Sequence, residues 1–470
     1  MYEPAAAVPA LGTAEDILRR AGAVPAHTAF PTVDELLAAM ERLRTRRPDL
    51  VTVERVGTSR LGEPMPLYHV GAGSRSALVV GGVHPNEPIG SLTALHLVEQ
   101  LITDDALREG LDTTWHVMPC ADPDGMRLNE GWFADPADRE TYAREFFRPA
   151  PTEQVEWTFP FSYKSAYFDA MMPETQALAR AIDLTAPELY VPLHNSEGGG
   201  AYFYLSRPAP GLYDMLHALP AALGIPLHAG EPEGAHFRVL APAIYEMGTL
   251  EDVYDWSEAL GVDPYPPGSG GDASTSYARK HGTLSLIAEL PQFSDPAADD
   301  TSITDLSYAG ELRRSGEQLV DCGERLVALI AAAAPHLRLD TPLLRAARVF
   351  APLAVSSGEA SIARAATPES DRAATVAEVG ALEDVVRLHR LRWGGMLTRA
   401  LRAEVDAGTA APEVRRVAAT AEDLFDGWLQ EALTARGAAP LPLSAVIGAQ
   451  YGAILAAHSE LSRERSCASS

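Results

Sequence analysis

The stretch Val79-Val80-Gly81-Gly82-Val83-His84-Pro85-Asn86-Glu87-Pro88 narrows the fold of this chain more than any other. A short apolar strand, Ala77 to Val80, runs into a glycine pair. The chain turns, presents an imidazole and a carboxylate three positions apart, and continues as a helix-like apolar run from Ile89 to Ile102. A strand that turns directly into a helix is the building unit of an α/β sheet. His84 and Glu87, at i and i+3 on such a turn, can face one ion. Zinc accepts both imidazole nitrogen and carboxylate oxygen, and two ligands leave it wanting a third. Read locally, His84 is a surface-turn histidine and Glu87 an acid in a helix's first turn, where the dipole favours it. The rest of the chain has to decide between these readings.

The neighbouring segments set a framework around this turn. Thr32 caps a helix that opens at Val33, with Glu35 as its capping-box partner. Val51 to Val56 and Met65 to Val70 form a hairpin across the turn Gly57 to Gly62. Thr114 to Met118, Leu189 to Leu193, Ala201 to Leu205 and Thr283 to Leu290 are further strands, alternating with helices at Pro173 to Ile182, Gly211 to Leu219 and Ser276 to His281. The pattern predicts an α/β fold with a mixed, mostly parallel sheet flanked by helices. The segment Asp122 to Phe168 has no clean period. Its length marks it as functional or disordered, and its aromatic content argues against disorder. Past Pro296 the character changes, with a helix from about Leu306 to Ala334, and after Leu337 the chain is nearly all helical. Val379, Leu382, Val386, His389, Trp393, Met396 and Ala400 make one helix face. Pro412 starts a helix ending at Gly437, and Ala445 to Leu461 is another. These features divide the chain into a catalytic domain, residues 1–337, and an all-α extension, 338–470. The extension is expected to pack on the catalytic domain or to form a homodimer.

Charge removes two partner classes. Asp and Glu number 64 against 38 Lys and Arg, a formal charge of −26. That field repels nucleic-acid backbones and anionic lipid surfaces. No run of 18 apolar residues offers a membrane helix. Met1 to Ala10 lacks the basic and apolar regions of a signal peptide. Three widely spaced cysteines, Cys120, Cys322 and Cys467, form no disulfide framework. A cytoplasmic protein is the expectation.

Two later stretches bear on the metal question. Leu189 to Leu193 ends in His194, and strand C-termini are where sites assemble in open α/β sheets. Locally, His194 is equally a strand-end histidine satisfied by backbone. In Leu284-Ser285-Leu286-Ile287-Ala288-Glu289-Leu290 an acid interrupts an apolar strand. A carboxylate buried there is costly unless it is paired or near a cation. Beside an activated water it can take a proton and later deliver it to a leaving amine. The alternative is an edge-strand glutamate facing solvent, against which the apolar flanks weigh.

In this order the motifs resemble the zinc carboxypeptidase family of carboxypeptidase A type. They read Gly82-Val83-His84-Pro85-Asn86-Glu87, Asp122-Pro123-Asp124-Gly125, Leu193-His194-Asn195 and Ile287-Ala288-Glu289-Leu290. Val56 to Gly62 and Pro173-Glu174-Thr175 add to the likeness, which covers about residues 30 to 335. The resemblance implies one Zn²⁺ per chain held by His84, Glu87 and His194, with Glu289 as general base and then acid. It implies removal of a C-terminal residue from a peptide or amino-acid-amide substrate. It also implies an arginine at the polarised carbonyl, for which Arg127 is the match, and an Asn-Arg clamp on the terminal carboxylate. Asn129 fills the first clamp position, but Glu130 stands where the arginine belongs, and two carboxylates repel. Either another arginine, Arg144, Arg148, Arg207 or Arg238, supplies the clamp, or the substrate lacks a free C-terminus. Tyr265, with Tyr277 behind it, matches the substrate-capping tyrosine. Two other readings remain: a small-molecule N-acyl amino acid deacylase of the aspartoacylase or succinylglutamate desuccinylase type, and a zinc- or peptide-binding module without turnover.

Overall fold

The computed structural model describes residues 10–232, 234, 236–434 and 439–468. Its centre is a ten-stranded sheet. The strands are β1 (Val51–Thr58), β2 (Pro64–Val70), β3 (Arg75–Val80), β4 (Thr113–Met118), β5 (Leu189–Pro192), β6 (His194–Ser196), β7 (Tyr202–Leu205), β8 (Arg238–Ala241), β9 (Ile244–Glu246) and β10 (Leu284–Pro291). Their order is β1-β2-β4-β3-β5-β10-β7-β9-β8, with β6 also paired to β10. The parallel members sit in the middle: β4, β3, β5 and β10 run the same way. Antiparallel pairs flank them, β1 with β2 and β2 with β4 on one side, β10 with β7 on the other. The expected hairpin is therefore present, with a register shift between Arg55 and Gly57.

Alternation along β3 explains the two layers. Ala77 and Val79 face a core shared with Trp115, Val117, Leu36, Leu97 and Ile447. Leu78 and Val80 face the opposite core with Met118, Tyr190, Leu178 and Ile182. Such burial on both faces is what parallel strands require. Helices Val33–Arg46, Ile89–Thr103 and Leu443–Ala468 cover the first face, and Pro173–Thr185 covers the second. Thr32 and Glu35 form the reciprocal capping box the sequence predicts.

The segment from Asp122 to Phe168 is ordered by short pieces rather than by one period. It holds the helices Pro123–Arg127 and Arg139–Glu145, three single 3₁₀ turns, and a hairpin of Phe161–Tyr163 with Ala166–Phe168. Phe133, Phe146, Phe147 and Phe159 are all buried, so the aromatic content serves as packing.

The helical region does not separate at residue 337. Helix Tyr308–Ala333 lies along Pro342–Arg364, and Val376–Asp406 packs on both and on Pro412–Thr434. The closest crossing depends on glycine. A Cβ on Gly316 would meet the Gly358 carbonyl oxygen at 2.6 Å, and one on Gly358 would meet that of Gly316 at 2.5 Å. The stripe on helix Val376–Asp406 is consumed inside the chain: Leu382, Val386, Trp393, Met396 and Ala400 are buried, and Trp393 stacks on Phe350 with ring centres 3.9 Å apart. The stripe is core, and it needs no second copy. The helix end expected at Gly437 lies outside the described residues. Cys120 and Cys322 are buried free thiols, and Cys467 is exposed.

A chain ended after residue 337 would expose Leu312, Leu319, Cys322 and Leu326 along helix Tyr308–Ala333, and would uncover the sheet layer under Leu443–Ala468. We expect it to aggregate, or to lose cooperative unfolding, as read by size-exclusion chromatography and near-ultraviolet circular dichroism. A soluble monomer with the parent's unfolding profile would contradict the packing described.

Candidate metal centre

Strand ends in the middle of the sheet assemble the site. β3 stops at Val80, and Gly81 and Gly82 carry the chain away from the sheet. Gly82 has φ +60°, a left-handed backbone that suits glycine. A Cβ on Gly81 would meet the Pro119 carbonyl oxygen at 2.7 Å. The turn then delivers His84, closed by a hydrogen bond from the Glu87 N–H to the His84 carbonyl oxygen at 3.1 Å. Beyond β5, the Leu193 N–H donates to the Val80 carbonyl oxygen at 2.8 Å. Strand β6 therefore starts with His194 beside that turn. Parallel pairing of β6 with β10 puts Glu289 opposite His194.

His84, Glu87 and His194 each offer a ligand atom, all within 4.8 Å of one another, and all three residues are buried. The two imidazoles meet edge to face at 4.8 Å. Nδ1 of His194 lies 3.3 Å from Oε2 of Glu87 and 3.6 Å from Oε1 of Glu289. The Asn195 N–H donates to the same Oε2 of Glu87 at 3.2 Å. Nδ1 of His84 and Nε2 of His194 are buried without hydrogen-bond partners. Buried polar nitrogens are seldom left unpaired. The unpartnered Nδ1 of His84, together with the His194 Nδ1 beside the Glu87 carboxylate, fits a cation that takes mixed nitrogen and oxygen ligands, as zinc does.

Electrostatics set the protonation of these side chains. Burial pushes the His84 imidazole well below its ordinary value, and the Arg148 guanidinium pushes it further. Burial acts on His194 in the same sense, but Glu87, Glu289 and Glu156 outweigh it and raise His194 to about 9. Glu87 is held well below the usual carboxylate range: burial opposes ionisation, and His84, His194 and Arg148 override it.

The structure brings His84, Glu87, His194 and Glu289 together, and the other sequence-predicted residues have partners of their own. Arg127 ends the short helix Pro123–Arg127 and pairs with Asp34 at 2.7 Å and Glu63 at 2.9 Å. Asn129 is buried and spends its amide on structure, exchanging hydrogen bonds with both the N–H and the carbonyl oxygen of Phe147 and accepting from Trp132 Nε1. Glu130 accepts from the Val33 N–H at the start of helix Val33–Arg46. Tyr265 donates to the Gly270 carbonyl oxygen at 2.7 Å, and Tyr277 donates to Asp183 at 2.8 Å under Lys280.

Among the four substitute arginines, Arg148 reaches the site. Its Nη1 lies 2.9 Å from Oε1 of Glu87, and its guanidinium sits over the Trp157 ring at 5.2 Å. Arg144, Arg207 and Arg238 pair with Asp426, Glu464 and Glu246 instead. Sequence reasoning missed Trp157, whose ring lies 5.1 Å from His84, and Glu156. Glu156 is buried and takes the Ser274 hydroxyl at 2.7 Å, while Ser274 also meets the Tyr190 hydroxyl at 2.8 Å. Burial raises the Glu156 carboxyl to about 7, with His194 acting against the shift. The only signal for either was the unexplained aromatic, charged run around them.

Residues 36–210 match the family model described as zinc carboxypeptidase. The likeness to that family covers this part of the chain. The matched stretch contains the three candidate ligands, and the family's metal is zinc, which the His-Glu-His cluster suits. Carboxypeptidase B of Astacus astacus is 31% identical over 103 residues, 21% of this chain and 34% of the relative. The alignable stretch thus spans about a third of that relative's length. Among solved structures, carboxypeptidase A of Helicoverpa armigera is similar at 13% identity and TM-score 0.37, covering 72% of this chain and 73% of its own. A metallo-carboxypeptidase of Burkholderia cenocepacia is similar at 18% identity and TM-score 0.31, covering 56% and 60%.

Metal analysis of the purified protein should find one zinc per chain. His84→Ala and His194→Ala should weaken binding by more than the ~10–100-fold that residues behind a ligand contribute. Arg127→Ala and Tyr265→Phe should leave affinity unchanged, as read by chelator competition. Behind the His84 turn, Asp122 is fully buried, and its N–H donates to the Gly82 carbonyl oxygen. Burial raises its carboxyl to about 7, with Glu174 and Asp124 adding to the shift. Its folded value exceeds its unfolded one, so its contribution to stability is lost as pH rises from about 4 to about 7. Asp122→Asn keeps an acceptor for the Gly125 N–H and removes the charge. Its urea midpoint should exceed the parent's above about pH 7, and the gap should close towards about pH 4.

Proposed function

We propose that the protein is a zinc-dependent metallocarboxypeptidase, hydrolysing the amide bond of a substrate that ends in a free carboxylate. The observation that carries this reading is Glu289 opposite His194 on paired strands, with Oε1 3.6 Å from the imidazole that completes the ligand set. When bound, zinc supplies Lewis-acid polarisation of the scissile carbonyl and acidification of water. Glu289, largely shielded from solvent, takes the water's proton as the carbon–oxygen bond forms. It returns that proton to the amine nitrogen as the carbon–nitrogen bond breaks. Arg148 is the cation at the ligand set. Its remaining N–H groups are assigned to a substrate oxygen that carries negative charge, either the carbonyl oxygen in the transition state or the terminal carboxylate. Trp157 walls the site and excludes water, which strengthens these interactions.

Depth favours a second reading. His84, Glu87, His194 and Glu289 are all buried, so a compact substrate suits the site, and an N-acyl amino acid is as compact as a dipeptide.

A substrate panel separates the two. Zinc-loaded protein should hydrolyse N-acyl dipeptides with a free C-terminus and leave their C-terminal amides intact. Preference for N-acyl amino acids over N-acyl dipeptides would favour the deacylase. Glu289→Gln should retain zinc and lose about 10²–10⁴-fold in kcat. Equal inertness of parent and variant, both holding zinc, would overturn both readings in favour of a binding module.

A further inference from the structure

The last helix, Leu443–Ala468, crosses the sheet layer that carries the ligands. Gln450 is fully buried in it, among Val446, Ile447, Ala449, Tyr451, Ala453 and Ile454. A primary amide in such surroundings must be matched at both ends to be tolerated. It is matched by two elements of the metal centre. Its Nε2 donates to the backbone carbonyl oxygen of His194. Its Oε1 accepts from the hydroxyl of Thr93 at 2.6 Å. Thr93 belongs to helix Ile89–Thr103, which begins two residues after Glu87. The two elements already touch nearby: a Cβ on Gly90 would meet Cβ of Leu193 at 2.7 Å.

We propose that Gln450 is a positioning residue for the metal centre, a crosslink from the C-terminal helix that fixes the His194 strand relative to the turn bearing His84 and Glu87. The role rests on the zinc reading above. Glutamine suits it because one planar group supplies a donor and an acceptor side by side. Glutamate keeps the acceptor and loses the donor, so it would set a charge against the His194 carbonyl oxygen. Methionine keeps the length and loses both. The helix thus acts on the ligands through the backbone, and touches neither metal nor substrate.

The proposal separates from ordinary helix packing by a control on the same helix. His458, two turns further on, meets the Thr113 hydroxyl at 2.7 Å at the far end of the strands. Zinc affinity is measured by chelator competition on the full-length protein, and ligand geometry by the visible absorption of the cobalt-substituted form. Gln450→Met should lower zinc affinity by about 10–100-fold and shift the cobalt bands. His458→Gln should lower the melting temperature and leave both readouts as in the parent. If Gln450→Met fails to fold, Thr93→Val, which removes one arm of the bridge, should weaken zinc binding in the same direction. Unchanged zinc affinity and cobalt spectrum in whichever of these two variants folds would overturn the proposal. A parent protein that binds no zinc would instead overturn the reading on which it rests.

Discussion

The carboxylate of Glu87 is buried, and a buried charge has to be paired or it destabilises the fold that buries it. Its neighbours answer that demand from two parts of the chain. The Asn195 N–H and His194 reach it from β6, and Arg148 from the long connection after β4. Each contact pins one segment to the C-terminal edge of the parallel strands. The crevice beyond those edges is where an open α/β sheet collects loops and ligands. Glu87 is therefore both a ligand candidate and the point at which otherwise independent segments meet.

Two kinds of support hold that meeting point. The sheet gives register: hydrogen bonding between β6 and β10 fixes which residue stands beside His194, and it is Glu289. The helical region gives restraint from outside. Arg392 on helix Val376–Asp406 meets Glu197 at 3.0 Å, three residues past His194, and Tyr142 donates to the same carboxylate oxygen at 2.9 Å. Arg399 on that helix donates to the carbonyl oxygens of Glu145 and Phe146, just ahead of Arg148. Residues that carry no motif of their own thus set the position of those that do. Distances in a catalytic centre tolerate little error, so this outer scaffold belongs to the same physical argument as the ligands.

Motifs local in sequence were legible, because their geometry is fixed within a few residues. The strand–turn–helix around His84, the hairpin β1–β2, the capping box at Thr32 and the apolar stripe on Val376–Asp406 each follow from spacing and propensity. The surroundings of these motifs were not legible. Arg127, Asn129 and Glu130 sit a few positions after the Asp122 turn, but their partners Asp34, Glu63, Phe147 and Val33 come from distant or irregular segments. Arg148, Trp157 and Glu156 lie in short turns whose paths no period encodes.

The sequence by itself determined that strands alternate with helices, that a histidine and a glutamate share one turn, and that another histidine and glutamate end or interrupt apolar strands. These follow from side-chain type and from the periods of strand and helix. Only the tertiary structure decided that the four converge, that Arg148 is the arginine beside them, and that the C-terminal helix touches the His194 strand. Such contacts join residues 61 to 256 positions apart. Their energy comes from burial and hydrogen bonding between surfaces that exist only once the sheet has closed, so no local pattern can carry them.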